Sequence, residues 1–276
     1  MKRDLPTYYG QPALKPSPYK FLVALYVVVG GLSGAAQVIA AFTRDRTLAR
    51  NGRWMAAAGG AVVGPALLVL DLHTPRRWYN MLRIFRRTSP MSIGTYILSA
   101  FGGASVAALT PLRPLAQPAA AFSALGMTAY TAPLLSATAT PLWAATPRAL
   151  GVQFAGSSFA TAAAALSLVE RREHPALASI ACTATVATLA ATAAAGASRK
   201  RQDVSGPRGR WGLLYKAGLA LSLALPLACY ASGRSSRLAA AGILAGTLLS
   251  RWALFQAGNE SAKQPQEHLR FSSHGR

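Results

Sequence analysis

Between Phe21 and Phe42 the chain carries no charged side chain, and from Trp54 to Leu70 it again carries none. A helix rises ~1.5 Å per residue and the hydrocarbon layer is ~30 Å thick, so ~20 such residues cross it. In lipid every backbone amide must find its partner inside its own segment, which makes helix the default for apolar runs of this length. Repeating the reading along the chain gives eight spans, near 19–42, 54–71, 91–110, 115–139, 149–169, 175–197, 211–231 and 237–257. The expected fold is therefore an all-α polytopic membrane protein, arranged as two four-helix bundles. Residues 1–18 form an N-terminal interfacial segment, 19–257 the transmembrane domain, and 258–276 a polar C-terminal tail.

Composition agrees, since 52% of residues are apolar and the 13% that are charged gather in short clusters. The sixth span is the least apolar. It is built from Ala and Thr between Ala176 and Ala195, and a soluble Ala-rich helix is its alternative reading. Small residues let helices approach closely, so in a membrane this segment belongs between neighbours. The first apolar run is too long for the core of a cleavable signal and is expected to remain as a membrane helix.

A net charge of +21 suggests nucleic acid until the charges are placed on the loops. They then divide by side, with roughly twice as many Lys and Arg on the side of the termini and of the loops 72–90, 140–148 and 198–210. The positive-inside rule puts both termini in the cytoplasm of a bacterial inner-membrane protein, although a basic face can also dock an acidic partner. The cluster Arg199-Lys200-Arg201 with Arg208 and Arg210 admits both readings. Two cysteines, Cys182 and Cys229, cannot hold an iron–sulfur cluster. The four histidines, His73, His174, His268 and His274, all lie outside the spans, so no intramembrane haem and no metal site is expected.

The connector after the second span is richer than a linker needs to be. Trp78, Met81, Leu82 and Phe85 recur at i, i+3, i+4 and i+7, while Arg76, Arg77, Arg83, Arg86 and Arg87 lie mostly off that stripe. Such a pattern predicts an amphipathic helix within 72–90, lying in the interface. Asp71 closes the span before it, where a carboxylate is costly unless paired or wet.

These residues resemble the signature of the NrfD/polysulfide reductase membrane-subunit family: Asp71-Leu72, Pro75, Tyr79-Asn80-Met81-Leu82-Arg83, Phe85 and Thr88-Ser89-Pro90-Met91-Ser92. Further agreement comes from Thr7-Tyr8-Tyr9-Gly10 with Pro12 and Lys15, from Pro141-Leu142-Trp143 with Thr146-Pro147, and from Arg251-Trp252 with Ala257-Gly258 and Ser261-Ala262. The sequence departs from the family pattern at His73, where a small residue is usual, and at Tyr96, where the family has Trp. The resemblance implies a quinone-binding membrane anchor of a multi-subunit respiratory oxidoreductase. It would hold no redox cofactor of its own, take a quinone (menaquinone being expected) as exchangeable substrate, and pass electrons to or from a four-cluster iron–sulfur ferredoxin-like subunit. That subunit would in turn contact a catalytic, molybdopterin-type subunit.

Quinone chemistry moves two electrons and two protons, so the carbonyls need hydrogen-bond donors and a proton-exchanging group near the membrane surface. On the side of the termini the candidates are Asp71 as proton exchanger or anchor of Arg251, Tyr130 as donor to a carbonyl, His73 as relay to water, and Arg251, with Tyr19 nearby. Arg76, Arg77, Arg83, Arg86 and Arg87 are the expected docking residues for the iron–sulfur partner. Two rival readings remain: a secondary transporter or ion-translocating protein, and a structural anchor that binds no quinone.

Overall fold

The computed structural model describes residues 14, 17, 19–72, 74–83, 85–170, 174–232 and 236–263, and the regular structure among them is helical throughout. Eight long helices follow one another: α1 (Phe21–Phe42), α2 (Arg46–Asp71), α3 (Pro90–Ala107), α4 (Arg113–Ala129), α5 (Pro147–Val169), α6 (Pro175–Arg201), α7 (Gly209–Ala231) and α8 (Ser236–Ala262). Six of them are long and apolar enough to cross a membrane, against the eight crossings expected; α3 and α4, at 18 and 17 residues, are the shortest. The polytopic all-helical class is as the sequence indicated.

Local chemistry sets the helix starts. Pro90, Pro147 and Pro175 each open a helix, where a missing N–H costs nothing and the fixed φ is already helical. The helix α2 begins well before residue 54. Asp45 caps it by accepting from the amides of Thr47 and Leu48 at 2.8 and 2.9 Å, and Leu48, Ala49 and Gly52 bury its inner face. The arginines that made this stretch look like a loop occupy the outer face.

Each half of the chain closes into a four-helix group. In the first, α1 packs on α2 and α4, and α3 lies between α2 and α4; in the second, α5 packs on α6 and α8, and α7 joins α6 to α8. The groups meet where α1 touches α5 and α8. One core cluster, around Tyr26, Phe101, Met127, Trp143, Phe154 and Phe255, draws on both groups. The Ala-rich α6 buries Leu177, Ala181, Ala184, Thr188, Ala191 and Ala195 along one stripe facing α5, so small side chains set a close helix contact. Phe42, Leu115, Phe122 and Leu213 remain exposed on the outside, as a surface solvated by lipid requires.

Two helices widen into a π turn, α2 at Ala58–Val63 and α7 at Ala220–Ala224, and each π turn runs into a proline, Pro65 or Pro226. A proline cannot donate to the carbonyl four residues back and its ring crowds that carbonyl; the wider turn relieves both problems without breaking the rod. Gly218 of α7 and Gly246 of α8 bring these backbones together. A Cβ on Gly218 would stand 2.9 Å from the Gly246 carbonyl oxygen, and Gly242, four residues before Gly246, makes the same kind of approach to the Leu221 carbonyl at 2.8 Å.

The described chain ends lie on one face. The Ser17 amide donates to Asn259 Oδ1 at 3.0 Å, and the Tyr19 ring meets Phe255 edge-on at 5.8 Å.

Candidate functional site

At the face where α2 ends, a cavity of about 180 Å³ is lined by Tyr19, Val23, Tyr26, Leu68, Asp71, Leu72, Met81, Met91, Thr95, Tyr130 and Leu134. Several elements build it. From α1 and the residue two before it come Tyr19, Val23 and Tyr26, spaced i, i+4, i+7 and so on one helix face. Asp71 is the last residue of α2. Tyr130 sits where α4 ends and the short helix Thr131–Ser136 begins. That break has a cause: Pro133 cannot donate to the Ala129 carbonyl, so the ladder is interrupted beside Tyr130.

The Tyr26 and Tyr130 hydroxyls hydrogen-bond to each other. Gly94 of α3 makes room for this pair, since a Cβ there would collide with the Tyr130 ring. Tyr19 is held from behind by Trp143 and Phe255, at ring separations of 6.3 and 5.8 Å, and Trp143 is pinned by donating from Nε1 to the Leu254 carbonyl at 3.2 Å. The phenols are therefore set by a packed aromatic layer.

The expected interfacial helix is smaller than the apolar stripe suggested. Residues Pro75–Arg77 form a single 3-10 turn and Asn80–Arg83 a single α turn; His73 lies outside the described residues. Pro75 fixes the first turn, and the stripe is spent locally, turned inward over the cleft. Met81 lines the cavity, and Trp78, Met81 and Leu82 line an adjoining apolar groove of about 210 Å³ between α2 and α3, which shares Leu68, Met81 and Thr95 with it. Phe85 packs edge-on against Tyr96 at 5.0 Å, and the Tyr96 hydroxyl donates to the Leu82 carbonyl at 2.8 Å. Tyr96, the residue that departs from the family pattern, thus ties the roof to α3. The arginines Arg76, Arg77, Arg83, Arg86 and Arg87 are all exposed above it.

Arg251 is not at this cleft, and the expected pairing with Asp71 does not form. Because α8 continues to Ala262, Arg251 lies well inside the second group of helices, 5% exposed. Its guanidinium donates to the Ser157 hydroxyl and, at 3.4 Å, to the Gln153 carbonyl, and it stacks 3.3 Å from the centre of the Phe154 ring. Gln153 Nε2 in turn donates to Thr192 at 3.0 Å and Tyr215 at 3.2 Å. The space beside this cluster, about 10 Å³, holds no more than one water-sized particle.

The structure places Asp71, Tyr130 and Tyr19 on one cavity, together with Tyr26, which the sequence reading did not single out. The i, i+7 spacing of Tyr19 and Tyr26 was the available signal.

Fold and cleft together define an integral membrane protein of all-helical type, with phenols and a carboxylate gathered at one end beneath a basic loop. The chain belongs to the polysulfide reductase family of NrfD type, whose model matches residues 5–264, and so stands among the integral membrane subunits of redox complexes. A comparison with curated proteins finds no match.

Proposed function

We propose that this chain is the quinone-binding membrane subunit of a multi-subunit respiratory oxidoreductase, with the cleft between Tyr19, Tyr26, Asp71 and Tyr130 as its quinone site. The observation that carries the reading is the convergence of three phenols and a carboxylate on one cavity that continues into an apolar groove. The polar end suits a quinone ring and the groove an isoprenoid tail; together they fall in the range of small-molecule pockets, ~300–1,000 Å³.

Quinone reduction adds two electrons and two protons and turns both carbonyls into hydroxyls. Tyr130 donates to one carbonyl oxygen, as its hydroxyl turns from Tyr26 toward the substrate, and Tyr26 then donates to Tyr130. Asp71, at the end of α2 and partly exposed, exchanges protons between the cleft and the aqueous face. Quinol oxidation runs the same steps backward. The electrons pass to or from a four-cluster iron–sulfur subunit docked on the exposed arginines Arg76, Arg77, Arg83, Arg86 and Arg87, and beyond it to a molybdopterin-type catalytic subunit. Positive charge directly over the cleft supports docking of an acidic partner there. Menaquinone in a bacterial inner membrane, with both termini cytoplasmic, completes the reading.

A photoreactive menaquinone analogue on the purified chain tests it. Labelling of α2, α3 and the residues around Tyr130, competed by unlabelled quinone, is expected; labelling that ignores competitor removes the quinone site and leaves a structural anchor. The buried Arg251 cluster favours one second reading, ion translocation through α5–α8, which a valinomycin-driven proton flux in liposomes would reveal.

A further inference from the structure

On the opposite face, five arginines converge on one pocket. Arg44, Arg46, Arg50 and Arg53, from the end of the α1–α2 turn and the first half of α2, and Arg113, the first residue of α4, line a cavity of about 640 Å³ with Ala40, Thr43, Asp45 and Gln117. By sequence this is the face poorer in Lys and Arg, so their concentration at one place is not what topology signalling asks for.

The local rules of helix chemistry are broken here in one consistent direction. Arg46, Arg50 and Arg53 stand at i, i+4 and i+7, a like-charge stripe that repels itself. Arg46 and Arg113 occupy the first positions of their helices, and neither helix has an acidic residue in its first turn, so cations sit at the positive ends of two dipoles. Arg53 and Arg113, from different helices, are close enough to repel one another. The single carboxylate in the lining, Asp45, accepts from the Thr47 and Leu48 amides as the cap of α2. The like-charge stripe, the cations at two helix starts and the Arg53–Arg113 repulsion each cost stability, and each is relieved by a bound anion.

A further observation points into the pocket from the first turn of α4. The Gln117 carboxamide, one turn past Arg113, is buried and forms no hydrogen bond among the described residues. Around the rim, Phe42, Trp54, Leu112 and Leu115 are 83%, 60%, 62% and 80% exposed. Aromatic and aliphatic side chains next to arginines are the pattern of the membrane interface, with acyl chains on one side and headgroups on the other.

We propose that this pocket is a binding site for the headgroup phosphate of an anionic phospholipid, held between α2 and α4. The guanidiniums of Arg46, Arg50, Arg53 and Arg113 grip the phosphate oxygens, Gln117 supplies a neutral donor, and Phe42, Trp54 and Leu115 receive the acyl chains.

The test uses the full-length chain in bicelles of phosphatidylcholine alone or with added phosphatidylglycerol or cardiolipin, following the unfolding midpoint and the lipid retained in native mass spectrometry. Anionic lipid is expected to raise the midpoint and to be retained selectively. The variant Arg50→Gln/Arg53→Gln/Arg113→Gln should bind it more weakly, by roughly fivefold per arginine removed. The variant Arg76→Gln/Arg77→Gln/Arg86→Gln, which loses the same charge from the other face, should keep the preference. For the unaltered chain, raised salt should weaken the preference, since exposed charges are screened. Equal stabilisation by phosphatidylcholine, equal loss in both variants, or a preference untouched by the triple substitution at the pocket overturns the proposal. So does inorganic phosphate acting as strongly as the lipid, which would make this a soluble-anion site, or a polyglutamate peptide displacing the lipid, which would make it a protein-docking face.

Discussion

Tyr26 of α1 and Tyr130 at the end of α4 share a hydrogen bond between their hydroxyls, although 104 positions separate them in the chain. The bond joins the first helix to the break in the fourth and fixes which way the Tyr130 oxygen faces. Both line the cavity, but Tyr26 is 1% exposed and Tyr130 is the more accessible of the two, so in the proposed pose Tyr130 meets the ring and Tyr26 acts through it.

That difference separates the two phenols by experiment. Tyr130→Phe removes the proposed donor to the quinone and should lower quinone turnover by roughly 100-fold, the low end of what a positioned proton donor contributes. Tyr26→Phe removes only the orienting partner and should cost about 1 kcal/mol, or roughly fivefold. The double variant should be no worse than Tyr130→Phe alone, because both changes act through one hydroxyl. Steady-state kinetics of the reconstituted complex with a soluble quinol would read all three, and additive losses would mean that the phenols act independently.

Asp71→Asn keeps the shape and polarity of the end of α2 but removes the proposed proton-exchanging group. Turnover is expected to fall roughly tenfold or more, with assembly of the complex intact. Blue-native electrophoresis beside the turnover assay distinguishes the outcomes. Unchanged turnover takes Asp71 out of the chemistry; a lost complex makes it a structural residue.

Gly94 offers a test that leaves every polar group in place. In Gly94→Ala the new methyl meets the Tyr130 ring, which must shift out of its pairing with Tyr26. Overpacking of this kind costs about 1–3 kcal/mol. The effect should fall on quinone turnover more than on the unfolding midpoint, since Tyr130 borders a cavity into which it can move. A smaller, aliphatic side chain in Gly94→Ala/Tyr130→Leu should restore stability without restoring activity.

How far the site could be read in advance follows from what each residue depends on. Asp71 was visible because a carboxylate at the end of an apolar run is costly wherever the run folds, and Tyr19 with Tyr130 followed from the alternation of spans. Tyr26 was not, since a tyrosine inside an apolar helix looks the same whether it packs or pairs, and only the register of α1 against α4 decides. Arg251 went astray for a different reason. Its depth depends on where α8 stops, and the helix runs past the last strongly apolar residues to Ala262, where Asn259 accepts from the Ser17 amide and Gly258 seats Trp143. The start of α2 was hidden in the same way, by arginines whose outward direction depends on Leu48 and Gly52 finding α1 and the rest of the bundle.

The Arg251 cluster makes the last prediction, because a buried guanidinium held by neutral groups depends on geometry rather than on charge alone. Its hydrogen bonds to Ser157 and the Gln153 carbonyl and its stacking on Phe154 all use the flat fork of the side chain. Lysine keeps the charge and loses the fork and most of the stacking, and its compact ammonium is more costly to desolvate. Arg251→Lys should therefore lower stability by about 2–4 kcal/mol, more than Ser157→Ala, which removes one acceptor. Arg251→Met removes the charge along with its desolvation cost and should be milder than Arg251→Lys, as replacement of a buried ion by an apolar side chain of similar volume often is. Unfolding of the three variants in detergent, followed by tryptophan fluorescence, gives the order directly. If Arg251→Met is the most damaging, the cluster depends on the positive charge itself, and a bound anion or a translocated ion becomes the better account of why the arginine is there.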